Sequence, residues 1–197
     1  MDKRFLHAAA VQSAPRLIGV QLRPFSLWHA ACLMLLDSPY IAVGREPDDG
    51  DFLSALMVCA DGRDDALSSW RQLERSRIRR FVLSFRLAMA GDRARQAFSD
   101  WLLAQIAALP EVYREPGSSH TSAVPWPFHV VVALLSRFHH FRGEAEAWDT
   151  PAATAICYVT ALAEWTGAKV VDPEEDERAE RAMAALEAAQ GKDRPDA

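Results

Sequence analysis

The residues in this chain able to do chemistry are few and scattered. His29 and Cys32 lie three apart, a spacing that puts both on one face of a helix. Two ligands do not complete a zinc site, and no further ligand lies nearby in sequence. His139 and His140 are adjacent, so a helix turns them about 100° apart. His129 and His140 share a helical face, but eleven residues at 1.5 Å rise is roughly 16 Å, too far for one ion. Ser118, Ser119 and His120 set hydroxyls beside an imidazole without the strand–nucleophile–helix elbow of a hydrolase. No GxxxxGK[ST], GxGxxG or HExxH occurs, so neither a phosphate-cradling loop nor a zinc-protease helix is present. Asp48-Asp49, Asp64-Asp65 and Glu174-Glu175 read as caps and solvated turns. The sequence points to no catalytic residue, no resident metal and no cofactor. An enzyme would need a site assembled from distant groups such as His29, Cys32 and His139.

Charge placement is more informative. The 197 residues carry 22 Lys and Arg against 27 Asp and Glu, a net charge of −5. Between Arg71 and Arg95 the balance reverses, with eight Arg and two acids. On one continuous helix Arg71, Arg75, Arg79 and Arg86 fall within about 80° of each other, beside an apolar face. Between Asp172 and Glu187 stand seven acids and two Arg. The Arg stripe reads as a solvated face or as one that pairs with this acidic run, within the chain or on a neighbour. The alternative is contact with nucleic acid phosphates, which Arg forks match. An acidic chain lacking exposed aromatics among those Arg argues against nucleic acid.

The elements that must position these groups are helices. An arm over residues 1–25 is extended, with one short strand between Pro15 and Pro24. Ser26 caps a helix from Leu27 to Leu36, which Asp37-Ser38-Pro39 stops. Asp48 to Asp51 open a short apolar helix ending at Asp61-Gly62. The longest helix is expected from Asp65 to Ala90, where Leu67, Trp70, Ile78, Phe81, Val82, Phe85 and Met89 recur on one face. Further helices are expected from Asp92 to Leu109, Pro127 to Phe141, Thr150-Pro151 to Trp165, and Asp172 to Ala189. Glu115 to Thr121 is loop. The fold class is all-α: a single compact bundle of about seven helices over residues 26–190, with a lobe boundary conceivable near 115–125. Residues 191–197 read as a frayed tail.

Cys32, Cys59 and Cys157 sit in apolar runs and read as buried free thiols, which fits a reducing cytoplasm. No segment offers the roughly 20 apolar residues of a membrane span. Most tryptophans lie on helices and read as core. Trp126, held between two prolines, reads either as an interface anchor or as a lid on the core.

Two segments carry a resemblance. Leu22-Arg23-Pro24-Phe25-Ser26-Leu27-Trp28-His29 with Leu33 to Pro39, and Ala147-Trp148-Asp149-Thr150-Pro151 with Tyr158, Ala161, Glu164, Gly167 and the acidic helix from Asp172, cover about a quarter of the chain. They resemble proteins encoded among bacteriophage and prophage tail genes, which implies a tail-assembly protein of the tail assembly chaperone kind. That resemblance implies a non-enzymatic, cytoplasmic, largely helical protein that binds the tape measure protein in the host cell and self-associates. Phe25, Trp28, Trp126, Trp148 and the stripe Arg71, Arg75, Arg79 and Arg86 are the candidate protein-binding residues.

Overall fold

The computed structural model describes residues 14–41, 45–106, 111–112, 125–138, 141–167 and 170–171. Contacts divide the chain into two units. The first holds residues 1–109 and 121–159, the second residues 110–120 and 160–197. Among the described residues there are eight helices and four two-residue strands, so the protein is predominantly helical. The acidic helix expected from Asp172, the tail, the 115–121 loop, His139 and His140 lie outside the described residues.

The first unit opens on a hairpin rather than a lone strand. β1 (Arg16–Leu17) pairs antiparallel with β2 (Val20–Gln21). Ile18 and Gly19 between them have φ of 45° and 87°, the two positive values that a type I′ turn requires. The sequence signal was weak because Ile replaces the Asn or Asp usual at the first position. The hairpin docks on its own unit. Leu22 is buried, and the Arg23 N–H donates to the Cys59 carbonyl at 2.9 Å.

α1 (Leu27–Leu35) begins at Ser26, whose hydroxyl accepts from the His29 N–H. His29 completes the box in the place where Glu is usual: its Nδ1 accepts from the Ser26 N–H at 3.0 Å. Its Nε2–H donates to the Asp61 carbonyl at 2.8 Å. The ring is thereby held as the neutral Nε2–H tautomer, joining the start of α1 to the end of α2 (Asp49–Ala60). α1 closes with Asp37 at φ 49° and a Ser38 N–H to Leu33 carbonyl bond of 2.9 Å, a Schellman end.

α2 is the centre of the core. Asp48 and Asp51 box its start, and Phe52, Leu53, Ala55, Leu56, Met57, Val58 and Cys59 are all buried. It packs against α1, α3 (Ala66–Arg75) and α4 (Arg77–Ala90). α5 (Asp92–Ile106) brings Phe98 and Trp101 inward. Phe98 packs edge-on to Phe52 at 5.7 Å and to Tyr40 at 4.9 Å. α6 (Trp126–Arg137) and the six-residue α7 (Glu144–Asp149) cover α1. α8 (Ala152–Trp165) starts one residue later than Thr150-Pro151 suggests. The Thr150 hydroxyl donates back to the Glu146 carbonyl and closes α7, and it is the Pro151 carbonyl that receives the first α8 bond, from Ala155.

In the second unit, β3 (Glu111–Val112) pairs antiparallel with β4 (Val170–Val171). Two residues per strand are too few for an alternation pattern, so this pair had no sequence signal.

The buried His29 generates a pH prediction. Burial, the largest cause, holds its pKa below the usual 6.5, against the opposing pull of the Asp61 carbonyl. The unfolded chain therefore binds a proton near pH 6.5 that the folded chain refuses. Stability from this group is full above that pH and falls as the solution is acidified below it. Urea titrations of the wild type from pH 7.5 to 5 are expected to show a falling midpoint. His29→Gln is expected to be weaker at pH 7.5 and to lose much of that slope.

Candidate protein-binding surface

The helix expected as one long rod from Asp65 to Ala90 is two. At Ser76 the backbone leaves helical geometry (φ −96°, ψ 98°), and the Ser76 hydroxyl accepts from the Arg79 N–H to start α4. A serine inside a helical pattern competes for backbone groups, and here it restarts the helix. The break also dismantles the Arg stripe as a single line. Arg71 and Arg75 are on α3, Arg79 and Arg86 on α4, and all four are exposed.

Of the apolar residues expected on one face, Leu67 and Trp70 are partly buried against the core. The rest, on α4, point to water: Ile78 is 80 % exposed, Phe81 71 %, Phe85 60 % and Met89 76 %, with Val82 also exposed. Phe81 and Phe85 therefore correct the expectation that no exposed aromatic stands among the Arg, and only the net charge of −5 still argues against nucleic acid. α4 instead buries Leu83 and Leu87. At 100° per residue Ile78, Val82, Phe85 and Met89 fall within about 60°, centred roughly 150° from Leu83 and Leu87. The helix is apolar on two opposite sides, a pattern that belongs to helices covered on both. Among the described residues nothing covers the outer side. Five large apolar side chains exposed in one stripe form a contiguous patch of the kind that marks a contact surface.

The flanks of this stripe are cationic. Arg77 stands on one flank and Arg79 and Arg86 on the other, all exposed, with Arg80 exposed on the far side of the helix, and α4 contains no acid. Arg86 lies over the hairpin turn, its Nη1 donating to the Ile18 carbonyl at 3.4 Å. A Cβ at Gly19 would stand 2.6 Å from that nitrogen. Arg79 reaches Gln72 Oε1 at 3.4 Å. Among the described residues no ion pair joins any of these four to a carboxylate.

The aromatic candidates have gone elsewhere. Phe25 is 0 % exposed, stacked on His29 and edge-on to Trp101 at 6.0 Å. It is a core residue because the bridge between Ser26 and Pro151 pulls its segment inward. Trp148 is buried too, its Nε1–H donating to Glu144 at 3.0 Å. Trp126, at the start of α6, is half-buried against the core. Trp28 packs edge-on to Trp148 at 5.6 Å, and Phe128 does the same at 4.9 Å. Beside this cluster lies an apolar groove of about 310 Å³, lined by residues including Trp28, Cys32, Leu35, Leu67 and Phe128. Sequence reasoning missed Phe128 and Leu35.

The reactive candidates are quiet. Both ring nitrogens of His29 are engaged. Burial pushes the Cys32 thiol up to about 12 and the Cys59 thiol higher, so neither forms a thiolate near neutral pH. Among the described residues no group of three or more His, Cys, Asp or Glu side chains is placed to hold a metal ion. No helix among them is long and apolar enough to cross a membrane.

The two faces of α4 should answer differently to truncation. Leu87→Ala, on the inner face, is expected to cost about 2–5 kcal/mol. Phe85→Ala, on the outer face, is expected to stay within about 0.5 kcal/mol of wild type. Urea denaturation of both variants checks this, and equal losses would mean that the outer face is covered within the chain.

Compared with known protein families, curated proteins and solved structures, the chain matches none.

Proposed function

We propose that this chain is a non-enzymatic protein-binding module that receives an amphipathic helix of another protein on the outer face of α4. The observation that carries this is the stripe Ile78, Phe81, Val82, Phe85 and Met89, apolar and exposed on a helix whose opposite face already holds the core. Helix-in-groove recognition reads partners through anchors at such spacings. The resemblance of Leu22–Pro39 and Trp148–Gly167 to tail-gene proteins supplies the setting: assembly of a phage or prophage tail in the host cytoplasm. There the partner is the tape measure protein, whose long apolar helices need cover until a tail tube encloses them. The buried thiols and engaged imidazole are compatible with a protein that binds and does no chemistry.

The test is a tagged pull-down from host cells expressing the tail genes, with free complexes separated from particles on a gradient. Recovery with the tape measure protein in free complexes, lost in Phe85→Glu, is the expected result. Recovery only in particles would make the chain a structural component. Recovery with nucleic acid alone, or with no partner, would contradict the proposal.

A further inference from the structure

The chemistry of α4 also selects among helical partners. Resting on the reading that its outer face binds protein, we infer that the occupant is an acidic amphipathic helix from a different chain. It presents apolar side chains to Ile78, Val82, Phe85 and Met89 and carboxylates to the Arg on either side.

The spacing identifies the occupant as a helix. Ile78, Val82, Phe85 and Met89 are separated by four, three and four residues, alternating as the two core positions of a heptad do. Knobs at this spacing interdigitate with another helix lying close to parallel or antiparallel. Phe81 widens the seam on one side. Arg79 and Arg86 occupy the other edge, at the heptad positions where partner charges are read.

The charge identifies which helix. Beside the seam α4 offers Arg77, Arg79 and Arg86 and no acid; Arg80 falls on the side of Leu83 and Leu87. Arg79 and Arg86 are steadied by Gln72 and by the Ile18 carbonyl. Those are neutral acceptors, so both guanidinium groups keep their full charge at the edge of the seam. A second copy docking through its own α4 would bring the same Arg and no acid to the seam, and like charges across an interface are disfavoured. The acid-rich run of this chain, Asp172 to Glu187, is the competing occupant. An anionic bilayer would meet the Arg but also a chain whose net charge is −5. An acidic helix satisfies the apolar seam and the Arg together.

Fluorescence anisotropy with the full chain tests this. The probes are two synthetic amphipathic helical peptides, about three heptads long. Both carry Leu at the core positions; one has Glu on the flanks and its twin has Gln. The acidic peptide is expected to bind on the order of tenfold more tightly than its twin, and to lose that advantage between about 0.05 and 0.5 M salt. Phe85→Glu should abolish binding of both. Arg79→Glu with Arg86→Glu should weaken the acidic peptide and spare its twin; circular dichroism checks that each variant is folded. Equal binding of the two peptides would overturn the acidic assignment and leave the protein-binding reading standing. A dimer in sedimentation that Phe85→Glu dissolves would overturn it in favour of a second copy. Acidic-peptide binding that rises when Glu174 and Glu175 are both changed to Lys would overturn the assignment to a different chain. Capture by phosphatidylserine vesicles with neither peptide bound would overturn it in favour of a lipid surface. Loss of the native partner's capture in Phe85→Glu, with neither peptide bound by wild type, would also overturn it while preserving the broader reading.

Discussion

A helix has only so many sides, and α4 spends two opposite ones on apolar residues. Leu83 and Leu87 close the core beneath it. Ile78, Phe81, Val82, Phe85 and Met89 remain on the other side, in water. Rotating the helix would bury one set only by exposing the other, so no rearrangement of this helix alone satisfies both. Leaving five large apolar side chains hydrated forgoes about 25 cal/mol for each Å² that a partner would cover. The rest of the first unit holds α4 in this position. Ser76 separates it from α3, Gly91 ends it at φ 62°, and the hairpin turn sits under Arg86.

The core that supports α4 is built by conventional means. α2 runs through the middle with buried residues on nearly every side, and Phe52, Phe98, Phe25 and Trp101 interlock around it. His29 shows how polar groups are accommodated inside. It is buried, yet each ring nitrogen has a partner, so it acts as a bracket between two helix ends. That use of the imidazole explains why the His29–Cys32 pair, at ligand-like spacing, is structural in this fold.

Helix existence was legible in the sequence because caps are local chemistry. Ser26, Asp48 and Gly91 each sit at the boundary their side chains, or lack of one, favour. What local pattern cannot report is which apolar stripe meets the core. From Leu67 to Met89 the sequence offers one plausible face, and tertiary packing takes Leu83 and Leu87 from the other side instead. The same limit misplaced Phe25, whose position depends on a bridge to Pro151, distant in sequence. The Arg stripe is continuous only on a helix that runs unbroken through Ser76. Its capping role is visible once Arg79 is seen to donate to it. The hairpin was half legible: Gly19 marks a turn, but Ile18 at positive φ is held by its surroundings and not by preference.

The most direct measurement of the central claim is hydrogen exchange of the full chain, alone and with the acidic amphipathic peptide. The account predicts added protection concentrated in residues 77–90, with the amides of α2 unchanged because they are already enclosed. Protection spread over other elements, or none in α4, would contradict it.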